Sequence, residues 1–176
     1  MKKIIAFAGS NSKKSINKDL VSYASSLLEN VEVEVLDLND FPVPIYGIDG
    51  ETENGIPDKA LEFLKKIQGA DGLILSLAEH NGNFASVFKN IYDWSSRIEK
   101  EVWNNTPMLL MATSPGARGG ASVLAIAKSG FPYLGGNIVA DFSLPSFYDN
   151  FKDGKIVNNQ LADLIKNQVE KLYKNL

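Results

Sequence analysis

Cysteine is absent from this 176-residue chain, and histidine occurs only once. Without cysteine the chain forms no disulfide, holds no metal through thiolates and has no thiol nucleophile. A single histidine cannot supply a metal cluster. These absences exclude disulfide scaffolds, thiol nucleophiles and metal sites built from thiolates or histidine clusters, and they are compatible with a reducing compartment.

Excess positive charge and long apolar runs are also missing. Lys and Arg number 18 against 21 Asp and Glu, giving a net charge of -3, so no overall basic field attracts nucleic acid or an anionic membrane. No apolar run approaches the ~20 residues that span a bilayer. We therefore expect no nucleic-acid partner, no membrane and a cytoplasmic location. The short apolar start, Ile4 to Ala8, is interpreted as a first strand rather than a signal peptide.

What is present is an ordinary globular composition, with 44% hydrophobic and 22% charged residues. A chain of this length buries a sizeable core without staples, so the prediction is one domain over residues 1–176.

Strand-length apolar runs alternate with helical patterns along the chain. The predicted strands are Ile4–Ala8, Val31–Leu36, Leu73–Leu77, Met108–Ala112 and, more weakly, Ile138–Ala140. Helical spacing of apolar residues marks segments around 20–28, 60–67, 87–98 and 161–172, with a further helix after Gly119. This alternation predicts an α/β fold, in which a mostly parallel sheet of five strands is covered by helices on both faces.

Two connections are irregular in sequence. The segment 41–55 is rich in proline and glycine, which makes it a candidate lid or subunit contact. The segment 142–154 concentrates aromatic residues, and Phe147, Tyr148 and Phe151 are candidates for a hydrophobic latch, a lid or an oligomer contact.

The most informative loop follows the first strand, from Gly9 to Asn17. A buried strand that breaks into hydroxyls and amides and then enters a helix presents free backbone N–H groups, which suit a phosphate. The loop has neither the G-x-x-x-x-G-K-[ST] pattern nor G-x-G-x-x-G. The pattern therefore indicates a terminal monophosphate, although Ser15 could simply cap the helix.

Two further small, polar loops follow the third and fourth strands, at 78–83 and 113–120. In an open doubly wound sheet, ligands bind beyond the carboxyl ends of the strands. Glycine allows close backbone approach, so these loops could border a flat heterocycle. One phosphate loop and two loops suited to the edge of a flat ring together predict a mononucleotide site, and turn geometry alone is the alternative explanation of the glycines.

Taken in order, three motifs resemble the NADPH-dependent FMN reductase family. They are Gly9-Ser10-x-x-x-x-Ser15-x-Asn17, then Glu79-x-Asn81-Gly82 followed by Lys89-Asn90-x-x-Asp93-Trp94, then Ser114-Pro115-Gly116-x-x-Gly119-Gly120. The resemblance implies a flavodoxin-like three-layer sandwich with strand order 2-1-3-4-5, and FMN as cofactor. It also implies NADPH or NADH as co-substrate, a flavin, quinone, azo dye or similar small molecule as electron acceptor, and a homodimer or homotetramer.

The same resemblance assigns site residues. Ser10, Ser15 and Asn17 would bind the FMN phosphate, and the two later loops would border the isoalloxazine. The complete set of implied cofactor-binding residues is Ser10, Ser12, Ser15, Ile16, Asn17, Glu79, His80, Asn81, Gly82, Asn83, Ser114, Pro115, Gly116, Arg118 and Gly119. No catalytic side chain and no metal ligand are expected, because the flavin carries the chemistry.

This chain departs from the common family pattern at two positions. Ser12 stands where many members have arginine, and His80 stands where a tyrosine is usual. Arg118 could act near the flavin, pair with the 2'-phosphate of NADPH, or be merely exposed. The alternative functions are a flavodoxin-like electron carrier and a non-redox module that binds another phosphorylated ligand.

Overall fold

The computed structural model describes residues 1–176. Its strands are β1 (Lys2–Gly9), β2 (Val31–Leu36), β3 (Gly72–Leu77), β4 (Glu79–His80), β5 (Asn83–Phe84), β6 (Pro107–Thr113), β7 (Asn137–Leu144), β8 (Phe151–Lys152) and β9 (Lys155–Ile156). Its helices are α1 (Ile16–Ser26), α2 (Ile48–Asn54), α3 (Asp58–Gln68), α4 (Ser86–Ile98), α5 (Ala121–Gly130), α6 (Phe147–Asn150) and α7 (Asn159–Lys174), with short 3-10 helices at Leu38–Asp40 and Phe131–Leu134.

The five long strands form one parallel sheet in the order β2-β1-β3-β6-β7. Counted among the long strands alone, this is the predicted order 2-1-3-4-5, and the flavodoxin-like fold is confirmed. The chain leaves β1 toward β2 on one side and returns to β3 on the other. The switch in direction therefore falls between β1 and β3, the place where such sheets bind ligands.

Alternate residues of the central strands point into two separate cores. Ile5 and Phe7 of β1 face the layer that contains α3, α4 and α5. Ile4 and Ala6 face the layer that contains α1 and α7. Both faces are buried, which explains why β1 and β3 read as continuous apolar runs rather than as alternating ones. No helix combines the length and the apolar character that a membrane span requires.

The two connections expected to be irregular contain regular structure. The segment 41–55 includes α2, and the segment 142–154 includes the end of β7, the short helix α6 and part of the β8–β9 hairpin. Phe147 is buried and stacks on Phe151 with ring centroids 4.8 Å apart, while Tyr148 is exposed. A latch therefore describes Phe147 and Phe151, because their rings close the α1 and α7 side of the core.

Helix α2 buries none of its residues and depends on contacts with α4. Trp94 Nε1 donates to the Pro44 carbonyl at 2.7 Å, and the Arg97 guanidinium binds both carboxylate oxygens of Glu51 at 2.9 and 3.3 Å. The Tyr46 ring packs edge-on against Trp94. These contacts hold the 41–55 segment against the outer side of α4.

Candidate functional site

The first loop joins β1 to α1 through a series of local turns. The Ser10 hydroxyl accepts from the Ser12 backbone N–H at 3.2 Å, and the Ser12 hydroxyl accepts from that of Lys14 at 3.3 Å. Ser15 caps α1, since its hydroxyl accepts from the Lys18 N–H at 3.2 Å. Because each of these hydroxyls accepts a bond, its own hydrogen stays available to donate.

The backbone N–H groups of Ser15, Ile16 and Asn17 have no hydrogen-bond partner in the structure. They lie at the positive end of the α1 dipole, where unpaired donors attract an anion. Capping by Ser15 uses only the Lys18 N–H and leaves these three donors unused. The loop thus offers a compact set of hydroxyl and amide donors at the switch point of the sheet.

The Asn17 side chain points away from this set and into the protein. It is 3% exposed. Its Oδ1 accepts from the Ser76 hydroxyl at 2.7 Å and from the Thr113 N–H at 3.1 Å, and its Nδ2 donates to the Thr113 carbonyl at 3.3 Å. Asn17 therefore links α1 to the ends of β3 and β6, and its backbone N–H is the part that faces the loop.

Positive charge around the first loop is limited to its own lysines. The neighbouring Lys18 ammonium is 2.6 Å from a carboxylate oxygen of Asp37 and lowers the pKa of that carboxyl, with the Asn39 backbone N–H contributing. Lys13 and Lys14 are exposed and have no carboxylate within 4.0 Å. An anion in this loop would be neutralised by these two lysines and by the helix terminus, because Ser12 contributes no charge.

The second loop is a tight hairpin formed by β4 and β5. Asn81 and Gly82 connect its strands, both with positive φ, 52° and 72°. Asn-Gly is the preferred sequence for this turn, so the structure explains both residues without a ligand. At the hairpin base, Glu79 Oε2 accepts from the Val123 N–H at 2.9 Å. Glu79 thereby caps α5 and fixes the hairpin against the third loop.

The third loop follows β6 and is held by the segment after β7. The Ser143 hydroxyl donates to the Gly119 carbonyl at 2.9 Å, and the Ser146 N–H donates to the Gly116 carbonyl at 2.9 Å. Gly119 has φ +57°, and a Cβ there would lie 2.5 Å from the Ser143 oxygen. Gly119 is thus required by packing, whereas Gly116 has open space around it.

Two of the predicted loops meet directly. A Cβ added to Gly82 would lie 3.9 Å from the Cβ of Ser122 in α5, and Arg118 Nη2 bonds the Ser122 hydroxyl at 2.9 Å. The first loop joins them through the bonds from Asn17 to Thr113. All three loops therefore lie at the carboxyl edge of β1, β3 and β6, as the sequence predicted.

The predicted residues at this edge differ in exposure. His80 and Asn83 are exposed on the hairpin. His80 presents an imidazole at the position where a tyrosine is usual in the family. Arg118 is exposed beside Ser122, whereas Ile16 is half-buried at the start of α1. Pro115 and Ser114 lie at the beginning of the third loop, and the Ser114 carbonyl accepts from the Phe147 N–H at 3.1 Å.

The cavities of the protein lie mostly away from this edge. The first loop adjoins one of about 190 Å³ at Asn11, which also involves Asn39, Phe41 and Asn90. A cavity of about 410 Å³ lies between the end of α1 and α7, around Leu27 and Tyr173, near the opposite edge of the sheet. The edge itself is an accessible surface, suited to a flat ligand with one face open.

Sequence reasoning missed the residues that brace the loops: Ser76, Ser122 and Ser143. Ser76 was detectable, because it is the only polar side chain in the buried strand β3. The inward direction of Asn17 was also detectable, since Asn17, Leu20, Val21 and Ala24 form the buried, helically spaced face of α1.

The fold and the edge together define a doubly wound α/β protein with a loop of unpaired backbone N–H donors at its switch point. The family model for NADPH-dependent FMN reductase matches residues 2–149. The chain belongs to this family, and the resemblance read from its three motifs is confirmed.

Similar proteins carry related names. A 2-hydroxy-1,4-benzoquinone reductase from Burkholderia is 33% identical over 129 residues, which is 72% of this chain and 66% of that protein. An NAD(P)H-dependent FMN reductase from Pseudomonas aeruginosa is 24% identical over 174 residues, 97% of this chain and 92% of that protein. The match to the Burkholderia protein thus spans slightly less than two thirds of its length.

Solved structures support the fold. The flavoenzyme NAD(P)H:(acceptor) oxidoreductase FerB from Paracoccus denitrificans superposes with a TM-score of 0.78 at 24% identity, covering 99% of this chain and 96% of that one. At this identity the likeness establishes the architecture alone.

Proposed function

We propose that this protein is an NAD(P)H-dependent FMN reductase that passes two electrons to a small acceptor such as a quinone or a flavin. The observation that carries the proposal is the set of unpartnered N–H groups at Ser15, Ile16 and Asn17, beside the hydroxyls of Ser10 and Ser12. This set lies at the end of a central strand in a chain of the FMN reductase family. The names of the similar reductases point to the same substrates.

The residues at the edge fit FMN. The first loop supplies donors for a terminal phosphate and two lysines to balance its charge. The second and third loops supply open backbone at Gly82 and Gly116, where a ring edge can approach closely. The hairpin is fixed by Glu79 and the third loop by Ser143, so the donors are pre-positioned. The proposed FMN-binding residues are those predicted from the sequence except Arg118, and Asn17 acts among them through its backbone.

When bound, FMN would accept a hydride at N5 and release two electrons to the acceptor. The protein's part is to hold the phosphate, border the ring and leave one face open for stacking. No paired carboxylate or catalytic triad is needed for this task. An open edge that contacts its second substrate mainly by stacking also favours loose acceptor specificity.

Residues 1–176 would act as a single FMN-binding domain, and we place its activity in the cytoplasm. We also propose a homodimer or homotetramer. Ile45 is 90% exposed and Ile48 is 59% exposed on the 41–55 segment, and apolar side chains in this arrangement favour contact with another subunit. Light scattering on the purified protein would give the subunit number, and a monomer at micromolar concentration would contradict this part of the proposal.

The decisive test is spectroscopic. The purified protein is titrated with FMN and then mixed anaerobically with NADPH or NADH while the flavin absorbance is followed. We expect FMN to bind and its absorbance band to bleach with at least one coenzyme. FMN binding without bleaching would instead indicate an electron carrier, and failure to bind FMN would indicate a module for another phosphorylated ligand.

A further inference from the structure

The two arginines of the chain are in opposite situations. Arg97 is held by both oxygens of the Glu51 carboxylate. Arg118 has no carboxylate within 4.0 Å, and its one hydrogen bond goes to the Ser122 hydroxyl at 2.9 Å. Arg118 therefore has no contacting carboxylate to balance its charge, and most of its N–H donors are free at the carboxyl edge of the sheet.

Arg118 and the first loop follow different strands of the sheet, and β3 lies between those strands. The loop of Arg118 follows β6, which is two strands away from β1, or roughly 10 Å at the usual strand spacing. Lys13 and Lys14 serve the first loop. The edge thus has two separate positive regions, and the second of them has no anion in the protein to match it.

The surroundings of Arg118 suit a phosphate monoester. The Ser122 hydroxyl orients the guanidinium, and the Ser122 backbone N–H has no partner at the start of α5. The bonds from Ser143 and Ser146 fix the loop behind it. A carboxylate is also nearby, but Glu79 is turned onto the Val123 N–H and makes no ion pair with Arg118. A planar guanidinium binds two phosphate oxygens at once, which a lysine cannot do.

We propose that Arg118, oriented by Ser122, binds the 2'-phosphate of NADPH and makes the protein prefer NADPH to NADH. The inference rests on the proposed function. The two coenzymes differ only by this phosphate, so a cation that contacts it separates their affinities without touching the nicotinamide. The specificity would therefore be set at the outer rim of the third loop, away from the flavin phosphate.

The test uses the FMN-loaded protein and the non-reducing coenzymes NADP+ and NAD+. Dissociation constants are measured by calorimetry for the wild type and for Arg118→Gln, Arg118→Lys and Ser122→Ala. We expect Arg118→Gln to weaken NADP+ binding about tenfold to a hundredfold, as for a lost charged hydrogen bond, and to change NAD+ binding less than about twofold. Arg118→Lys and Ser122→Ala should give smaller losses that are again confined to NADP+.

Lys100→Gln is the matched control, because Lys100 is exposed beyond the end of α4, at the opposite edge of the sheet, and its loss changes the net charge equally. It should leave both dissociation constants unchanged.

The inference is overturned if Arg118→Gln weakens the binding of both coenzymes equally, lowers FMN affinity instead, or has no effect. Wild-type protein whose FMN is bleached by NADH while NADP+ binds no better than NAD+ would also overturn it and leave the proposed function standing. Absence of bleaching with either coenzyme would defeat the proposed function itself.

Discussion

Replacing Asn17 by alanine tests whether its side chain braces the site or binds the ligand. The substitution removes the acceptor of the Ser76 hydroxyl and of the Thr113 N–H, both buried in the protein. Each orphaned buried donor costs about 1 to 2 kcal/mol, so we expect Asn17→Ala to lower the free energy of unfolding by about 2 to 4 kcal/mol. Ser76→Ala is the matched control, because it leaves Asn17 bonded to Thr113 and should cost only about 1 kcal/mol.

The assay has two readouts. Urea unfolding of the FMN-free protein gives the change in stability, and titration with FMN and with riboflavin gives two affinities that differ only through the phosphate. If Asn17 braces the loops, alanine weakens both flavins by the same factor. Ser10→Ala, which removes a hydroxyl of the phosphate loop, should weaken FMN while leaving riboflavin unchanged.

One result would refute this reasoning. If Asn17→Ala unfolds within about 0.5 kcal/mol of the wild type, the usual range for an inconsequential surface change, the bonds to Ser76 and Thr113 contribute nothing. A selective loss of FMN affinity in that same variant would assign the Asn17 amide to the phosphate.

Two further predictions concern Gly119 in the third loop and the Arg97–Glu51 ion pair between α4 and α2. Gly119→Ala should lower the free energy of unfolding in urea by about 2 to 4 kcal/mol, because the added Cβ would lie 2.5 Å from the Ser143 oxygen and the residue has a positive φ. Gly116→Ala is the control, since Gly116 lies in open space, and it should change this free energy by less than about 0.5 kcal/mol. Arg97→Gln should speed hydrogen exchange of residues 48–54 near neutral pH, since Arg97 is the main cause of the lowered pKa of Glu51. A depressed carboxyl pKa stabilises the fold above its unfolded value, so the difference from wild type should vanish as pH falls through the acidic range, and a difference that persists there would contradict the ion pair.

The sheet was predictable because its signals are local and strong. The continuous apolar runs of β1, β3 and β6 indicate strands buried on both faces, and the intervening helical periodicity fixes the parallel crossovers. Helix α2 was not predictable. It contains a glycine, buries no side chain and lies among prolines, and its side-chain bonds to α4 join Glu51 to Arg97, which is distant in sequence.

The positions of the three loops of the candidate site were predictable, whereas most of their contacts were not. Strand ends and glycines located the three loops, but several polar residues read as ligands are committed to the protein. Glu79 caps α5, and Asn17 ties together two strand ends. In sequence, a polar residue of a loop looks like a polar residue on the buried face of the first helical turn. The two can be told apart only when the helical spacing of the buried residues is continued toward the N-terminus of the helix, as it can be for Asn17.

This division has a consequence for how the motifs should be interpreted. The motif residues Asn17, Glu79 and Gly119 hold the loops in place, and the groups left free for a ligand are largely backbone N–H groups that any sequence supplies. A family motif of this kind therefore specifies the geometry of the edge. Under the proposed function, the choice of coenzyme and acceptor is then expected to depend on exposed side chains at that edge, among them Ser12, His80 and Arg118, which can change without loss of the fold.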